Sequence, residues 1–134
     1  MHSLYKDKFA EYFRDSEHAA IVQCWSEATA SMTEEQFRAG VERLADLIEH
    51  EHVQNVAVDV AKMAYQPAAD FEEWRQAYII PRYNAAGVSK FAFILPVGAK
   101  NIVEDGVAPA PEGKAGFPFG YFSSRERALA WLTA

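Results

Sequence analysis

Apolar positions recur along this chain with two different periods. Phe37, Val41, Leu44 and Ile48 follow one another at intervals of four, three and four, which gathers them on one stripe of a helix. Thr33 precedes that stripe and Gln36 stands three residues later, the spacing of a reciprocal capping box. Glu34 and Glu35 lie where the positive end of the helix dipole favours them. Glu34 with Arg38, and Arg38 with Glu42, are set to pair at i,i+4 on the opposite face.

The next stretch, Val53 to Val60 (VQNVAVDV), changes period. It holds four valines in eight residues, and β-branched side chains suit a pleated, half-buried surface. It sits between helical patterns and predicts a central parallel strand. Gln66-Pro67 then marks a loop, and Asp70 with Glu73 repeats the capping-box spacing. Phe71, Trp74 and Tyr78 form the stripe of a second helix. Pro81 should kink or break it before it ends near Gly87, a good C′ residue.

Val88 to Pro96 reads as the following strand. Phe91, Phe93 and Leu95 fall on one side and Lys90, Ala92 and Ile94 on the other. The central strand likewise sets Val56, Val58 and Val60 against Asn55, Ala57 and Asp59. A sheet buried equally on both sides lacks this heavy-against-light pattern, so helices are expected mainly on one face. The lighter face is left for the amino-terminal hairpin or a partner. That hairpin is expected from Tyr5 to Phe13 and Ala19 to Ser26, joined by the turn-like RDSEH. Toward the carboxyl end the patterns predict a short helix at Ala99 to Glu104 and a Pro/Gly-rich surface loop from Gly106 to Gly116. A strand at Phe119 to Phe122 follows, given an edge position by Pro118. Ser123 with Glu126 would cap a closing helix striped by Ala128, Leu129 and Leu132 and also holding Trp131.

Composition narrows the functional classes. A chain of 134 residues, half hydrophobic and 24% charged, is expected to form a single α/β domain over residues 1–134. Its formal net charge of -6 argues against nucleic acid and anionic membrane surfaces. Cys24 is the only cysteine, so no internal disulfide forms. The longest apolar run, FAFIL, is too short to span a bilayer, and the start has no signal-peptide core. A cytoplasmic location is expected, with no membrane insertion.

Little in the sequence points to catalysis. His50 and His52 in EHEH are two apart and diverge on a helix, so no metal site is expected. Cys24, flanked by Gln23 and Trp25 in mid-strand, reads as a packed thiol. No cofactor fingerprint is present. Ligands of open parallel sheets gather at the carboxyl ends of the strands, which singles out Trp25, Glu27, Asp59, Lys62 and Tyr65 as candidate ligand- or partner-binding residues. Asp59 and Glu27 offer a potential carboxylate pair. Trp25, Tyr65, Phe117, Phe119 and Tyr121 offer an apolar pocket lining.

The strand ending VAVDV, the segment IIPRYNAAGVSKFAFILP and the tail YFSSRERALAWL together resemble the SpoIIAA-like group of the STAS superfamily, the sulphate-transporter and anti-sigma-antagonist domains. The resemblance implies an N-terminal β-hairpin followed by successive βα units, with a mostly parallel sheet. It also implies partner switching through a phosphorylated Ser or Thr after the central strand. Here VAKMAYQPAA, between Asp59 and Asp70, has neither. The expected function is therefore a non-catalytic binding or regulatory module for a protein partner or small apolar ligand, acting through the loop Lys62 to Ala69 or the lighter face. The alternative is a small enzyme or apolar-ligand carrier at the strand ends. A homodimer through an edge strand or the lighter face is compatible with either.

Overall fold

The computed structural model of the chain describes residues 1–96, 106–107 and 113–134. Strand β1 (His2–Lys6) is followed by β2 (Ala10–Asp15) and β3 (Ala20–Trp25). The expected first strand is thus two. The Asp7 carboxylate accepts from the amides of Phe9 and Ala10 at 2.8 and 2.9 Å, and this local turn competes successfully with a continuous strand. After a 3-10 turn (Glu27–Ser31), α1 runs from Glu34 to Glu51 with its capping box formed by Thr33 and Gln36. Strand β4 (Asn55–Asp59) leads through a loop to α2 (Phe71–Trp74), a π turn (Arg75–Ile79) and α3 (Ile80–Ala86). Strands β5 (Lys90–Ile94), β6 (Gly106–Val107) and β7 (Phe119–Phe122) precede the closing α4 (Arg125–Leu132).

Among the described residues the strands form one sheet in the order β1-β2-β3-β4-β5-β7-β6. The first three pair antiparallel, β3 through β5 to β7 are parallel, and β6 returns antiparallel to β7. The heavy-against-light alternation sorts the core as expected. Ile21, Val56, Val58, Phe91 and Phe119 pack with Phe37, Val41, Leu44, Ile48, Ile80 and Tyr83 on the face covered by α1 and α3. Each such side chain contributes about 1.5–3 kcal/mol when fully buried.

The lighter face departs from expectation. Ala20, Val22, Ala57, Ala92 and Ile94 are covered by Ala128, Leu129 and Leu132 of α4, while the amino-terminal strands extend the sheet in its own plane. Small residues let this helix sit close. A Cβ on Gly120 would lie 2.9 Å from the Trp131 ring, so β7 needs glycine beneath it. Among the described residues, two helical segments, α1 and α2 to α3, against one still leave most helix on one face.

Further local differences have clear causes. Asp70 makes no capping bond because its carboxylate is held by Arg38 at 2.8 Å. The residue that caps α4 is Ser124, whose hydroxyl accepts from the Arg127 amide at 3.2 Å, rather than Ser123. Pro118 precedes an interior strand, since β6 pairs with the far side of β7. The same pairing puts part of the expected Gly106 to Gly116 loop into the sheet. The short helix expected at Ala99 to Glu104 lies outside the described residues.

The π turn decides which side chains the second helix buries. Pro81 has no N–H for the Ala77 carbonyl and would crowd it. The chain instead widens so that the Ile80 amide donates to the Arg75 carbonyl. One extra residue in the turn advances the helix phase. Tyr78, expected in the buried stripe, is 66% exposed, while Ile79 and Ile80 are buried. Beyond it the helix ends as expected on Gly87, which adopts φ 82.

Candidate functional site

Between the heavier sheet face and the helices lies a cavity of about 360 Å³. Val58 of β4, Phe93 and Leu95 at the end of β5, and Tyr121 of β7 form its sheet wall. Trp25, Phe37, Val41 and Leu44 close it from the side of β3 and α1. Met63, Pro67 and Phe71 cover it from the segment after β4. It opens at the carboxyl ends of the parallel strands, where α/β sheets place ligands, and its volume suits a small organic molecule.

The cavity floor contains a closed polar network. The Gln23 amide nitrogen donates to the Tyr12 hydroxyl at 3.2 Å and to the Gly40 carbonyl at 3.1 Å, while its oxygen accepts from the Trp25 indole at 3.1 Å. Tyr12 also donates to the Gly40 carbonyl at 3.0 Å. Buried polar groups this well partnered rigidify a site. They hold Trp25 as a fixed wall, with its ring 5.5 Å from that of Phe37.

Only two charged side chains line the cavity among the described residues, Glu72 and Arg75. Their settings differ. The Arg75 side chain is 15% exposed and that of Glu72 60% exposed. Glu72 receives the Nε and Nη2 protons of Arg75 at 3.0 and 2.7 Å, and the guanidinium lies 5.6 Å from the centre of the Phe119 ring. The bonds to Glu72 leave Nη1 without a protein partner among the described residues.

The cavity cover is fastened to α1 and to the 3-10 turn. Thr29 accepts from the Ala64 amide at 2.8 Å. Glu34 accepts from the Tyr65 hydroxyl and from the Ala68 amide, and Arg38 joins Glu34 at 2.7 Å to Asp70. Burial opposes the Glu34 charge, but the bonds from Tyr65, Arg38 and Ala68 together outweigh it and hold the carboxyl below its ordinary pKa.

On the opposite face a second cleft of about 330 Å³ contains Lys6, Glu11, Cys24, Asp59, Lys62 and Arg125. The parallel register aligns Cys24 with Asp59, and one nitrogen of Arg125 reaches both the Cys24 sulfur and an Asp59 oxygen at 3.0 Å. Burial pushes the Cys24 thiol up to about 11, reinforced by the Asp59 and Glu11 charges against the pull of Arg125. The sulfur is therefore protonated at neutral pH and is no ready nucleophile.

The sheet thus divides the five residues singled out from sequence. Trp25 borders both cavities, whereas Asp59 and Lys62 border only the polar cleft. Tyr65 packs on Phe37 with ring centres 5.2 Å apart and fastens the cover without lining the cavity. Glu27 begins the 3-10 turn, is exposed, and borders neither cavity. Of the expected aromatic lining, Trp25 and Tyr121 take part while Phe117 and Phe119 are buried in the core. Arg75 and Gln23 escaped sequence reasoning. Gln23 carried a faint signal as a polar residue within AIVQCW. Arg75 carried one too, standing four residues after Phe71 and so on the same helix face.

The one three-residue grouping with metal-ligand geometry among the described residues, Asp15, Glu17 and His18, is a hairpin turn in which Asp15 accepts from the His18 amide and ring. No helix among the described residues is long and apolar enough to cross a membrane. No protein-family model matches the chain, and neither a curated protein nor a solved structure shows significant similarity to it.

Proposed function

We propose that this protein is a non-catalytic binding module for a small, largely apolar ligand, held in the cavity between β4, β5, α1 and the cover after β4. The observation that carries the reading is the cavity itself. It combines an apolar lining and a satisfied polar floor with a mouth at the strand ends. The paired groups nearest to a catalytic constellation, Cys24, Asp59 and Arg125, lie across the sheet from it, and the thiol is protonated.

We further propose a SpoIIAA-like relationship within the STAS superfamily. Antiparallel strands that lead into parallel βα units, with helices mostly on one face, support that kinship. The phospho-switch of such domains has no hydroxyl to act on between Asp59 and Asp70, so a ligand takes its place as the occupant of the loop region.

The test is titration of the intrinsic fluorescence, to which Trp25 contributes from the cavity wall and Trp74 and Trp131 from outside it, with 1-decanol as a neutral apolar probe. Saturable quenching or enhancement that Val60→Phe, which fills the cavity without adding an indole, abolishes without unfolding the protein is the expected result. Failure of 1-decanol to bind the unaltered protein overturns the reading.

A further inference from the structure

We infer that the ligand of this cavity is an amphipathic carboxylate, an apolar tail with one anionic head, and that Arg75 is its head-group receptor. This rests on the cavity reading above and deepens it. A guanidinium among aromatic rings has given up much of its hydration, a cost that fixed counter-charges must offset. Glu72 offsets it only from the solvent side, being 60% exposed where Arg75 is 15% exposed.

The geometry of the pair decides which atoms remain. Glu72 is also claimed by the Gln76 amide at 3.0 Å, and it occupies only the Nε and Nη2 side of the guanidinium. Among the described residues nothing takes Nη1, which can donate. A carboxylate meets a guanidinium edge with charge-assisted bonds, and it can take the free Nη1 or displace exposed Glu72 into water. An uncharged apolar ligand leaves this donor with no partner inside the cavity. A cationic ligand meets repulsion from Arg75.

Size sets the tail. A space of about 360 Å³ equals about twelve water volumes at roughly 30 Å³ each, which suits an alkyl chain of medium length or a two-ring aromatic. The wall residues Phe93, Leu95, Met63 and Phe71 offer no hydrogen bond to the tail, so the head group alone fixes orientation.

The experiment compares two matched pairs, decanoate with 1-decanol and 2-naphthoate with 2-naphthol, by calorimetry at pH 7 on the full chain and on Arg75→Gln and Arg75→Lys. Which acid binds tighter identifies the tail. In the unaltered protein each acid is expected to bind more tightly than its alcohol by about ten- to a hundred-fold, the range of a hydrogen bond to a charged group. Arg75→Gln should erase that preference with alcohol binding retained, and Arg75→Lys should restore part of it. Equal affinity for acid and alcohol in the unaltered protein overturns the carboxylate inference and leaves the cavity reading standing. Absence of binding by all four compounds overturns both. Should Arg75→Gln fail to fold, the acid-to-alcohol ratio of the unaltered protein and of Arg75→Lys still decides.

Discussion

At the scale of single residues, Gly40 shows how one side chain's absence shapes the site. An added Cβ there would come 2.5 Å from the Trp25 ring and 3.2 Å from the Tyr12 hydroxyl. In an exposed helix, replacing glycine with alanine stabilises by about 1 kcal/mol. Here the close approach of α1 to the sheet reverses the sign. Gly40→Ala is expected to lower stability by roughly 1–3 kcal/mol, the range for overpacked cores, and to weaken ligand binding by shifting Trp25. Urea denaturation measures the first and the 1-decanol titration the second. A stabilised variant with unchanged binding would show that the helix and ring can separate freely.

At the scale of elements, the segment after β4 behaves as a cover whose fastening is electrostatic. Three bonds end on Glu34, from Tyr65, Arg38 and the Ala68 amide. Because the folded carboxyl sits below its ordinary value of 4.5, the fastening is fully present above that pH. It is lost as pH falls through the lower folded value. Hydrogen exchange should report this locally. Glu34→Ala at neutral pH is expected to expose the Ala68 amide while Ala64, held by Thr29, keeps more of its protection. Acidification should do the same in the unaltered protein but add little in the variant. Unchanged exchange at Ala68 in Glu34→Ala would mean that the cover is held by its apolar contacts alone.

The elements also show what could be read from the chain and what could not. The two-residue alternation in β4 and β5 reports which side chain faces which layer, because a strand cannot rotate without exposing the whole set. Thr33 with Gln36, and Gly87, signal local bonds and dihedrals that depend on no distant partner. Asp70 has the same local signature as Thr33 but is drawn off by Arg38, a residue 32 positions away. Tyr78 fails for another reason. Its place in the stripe assumes a uniform helix, and the turn forced by Pro81 breaks that assumption. Arg75 needs no such change, since it follows Phe71 by four residues and shares its helix face, but a charge beside an apolar stripe reads as solvated, so the charged residue of most interest was the least legible.

At the scale of the whole molecule, the unequal faces of the sheet divide the work. The alanine- and glycine-lined side lets α4 pack closely and leaves only a polar cleft beside Cys24 and Arg125, whereas the side bearing Val58, Phe93 and Tyr121 meets longer helical segments and keeps an apolar space at one end. Such a space costs stability through lost packing, so filling it should stabilise the empty protein at the expense of binding. Val58→Ile extends one methylene toward the cavity. Unliganded stability is expected to rise by about 0.8 kcal/mol, or roughly 2–4 °C in Tm for a chain of this size. The further rise in Tm that a saturating ligand causes through mass action should shrink in the same variant. Parallel thermal melts with and without decanoate read both quantities. If the isoleucine destabilises the empty protein, the space beside Val58 cannot take a methylene, and the division of labour between the two faces does not extend to the cavity.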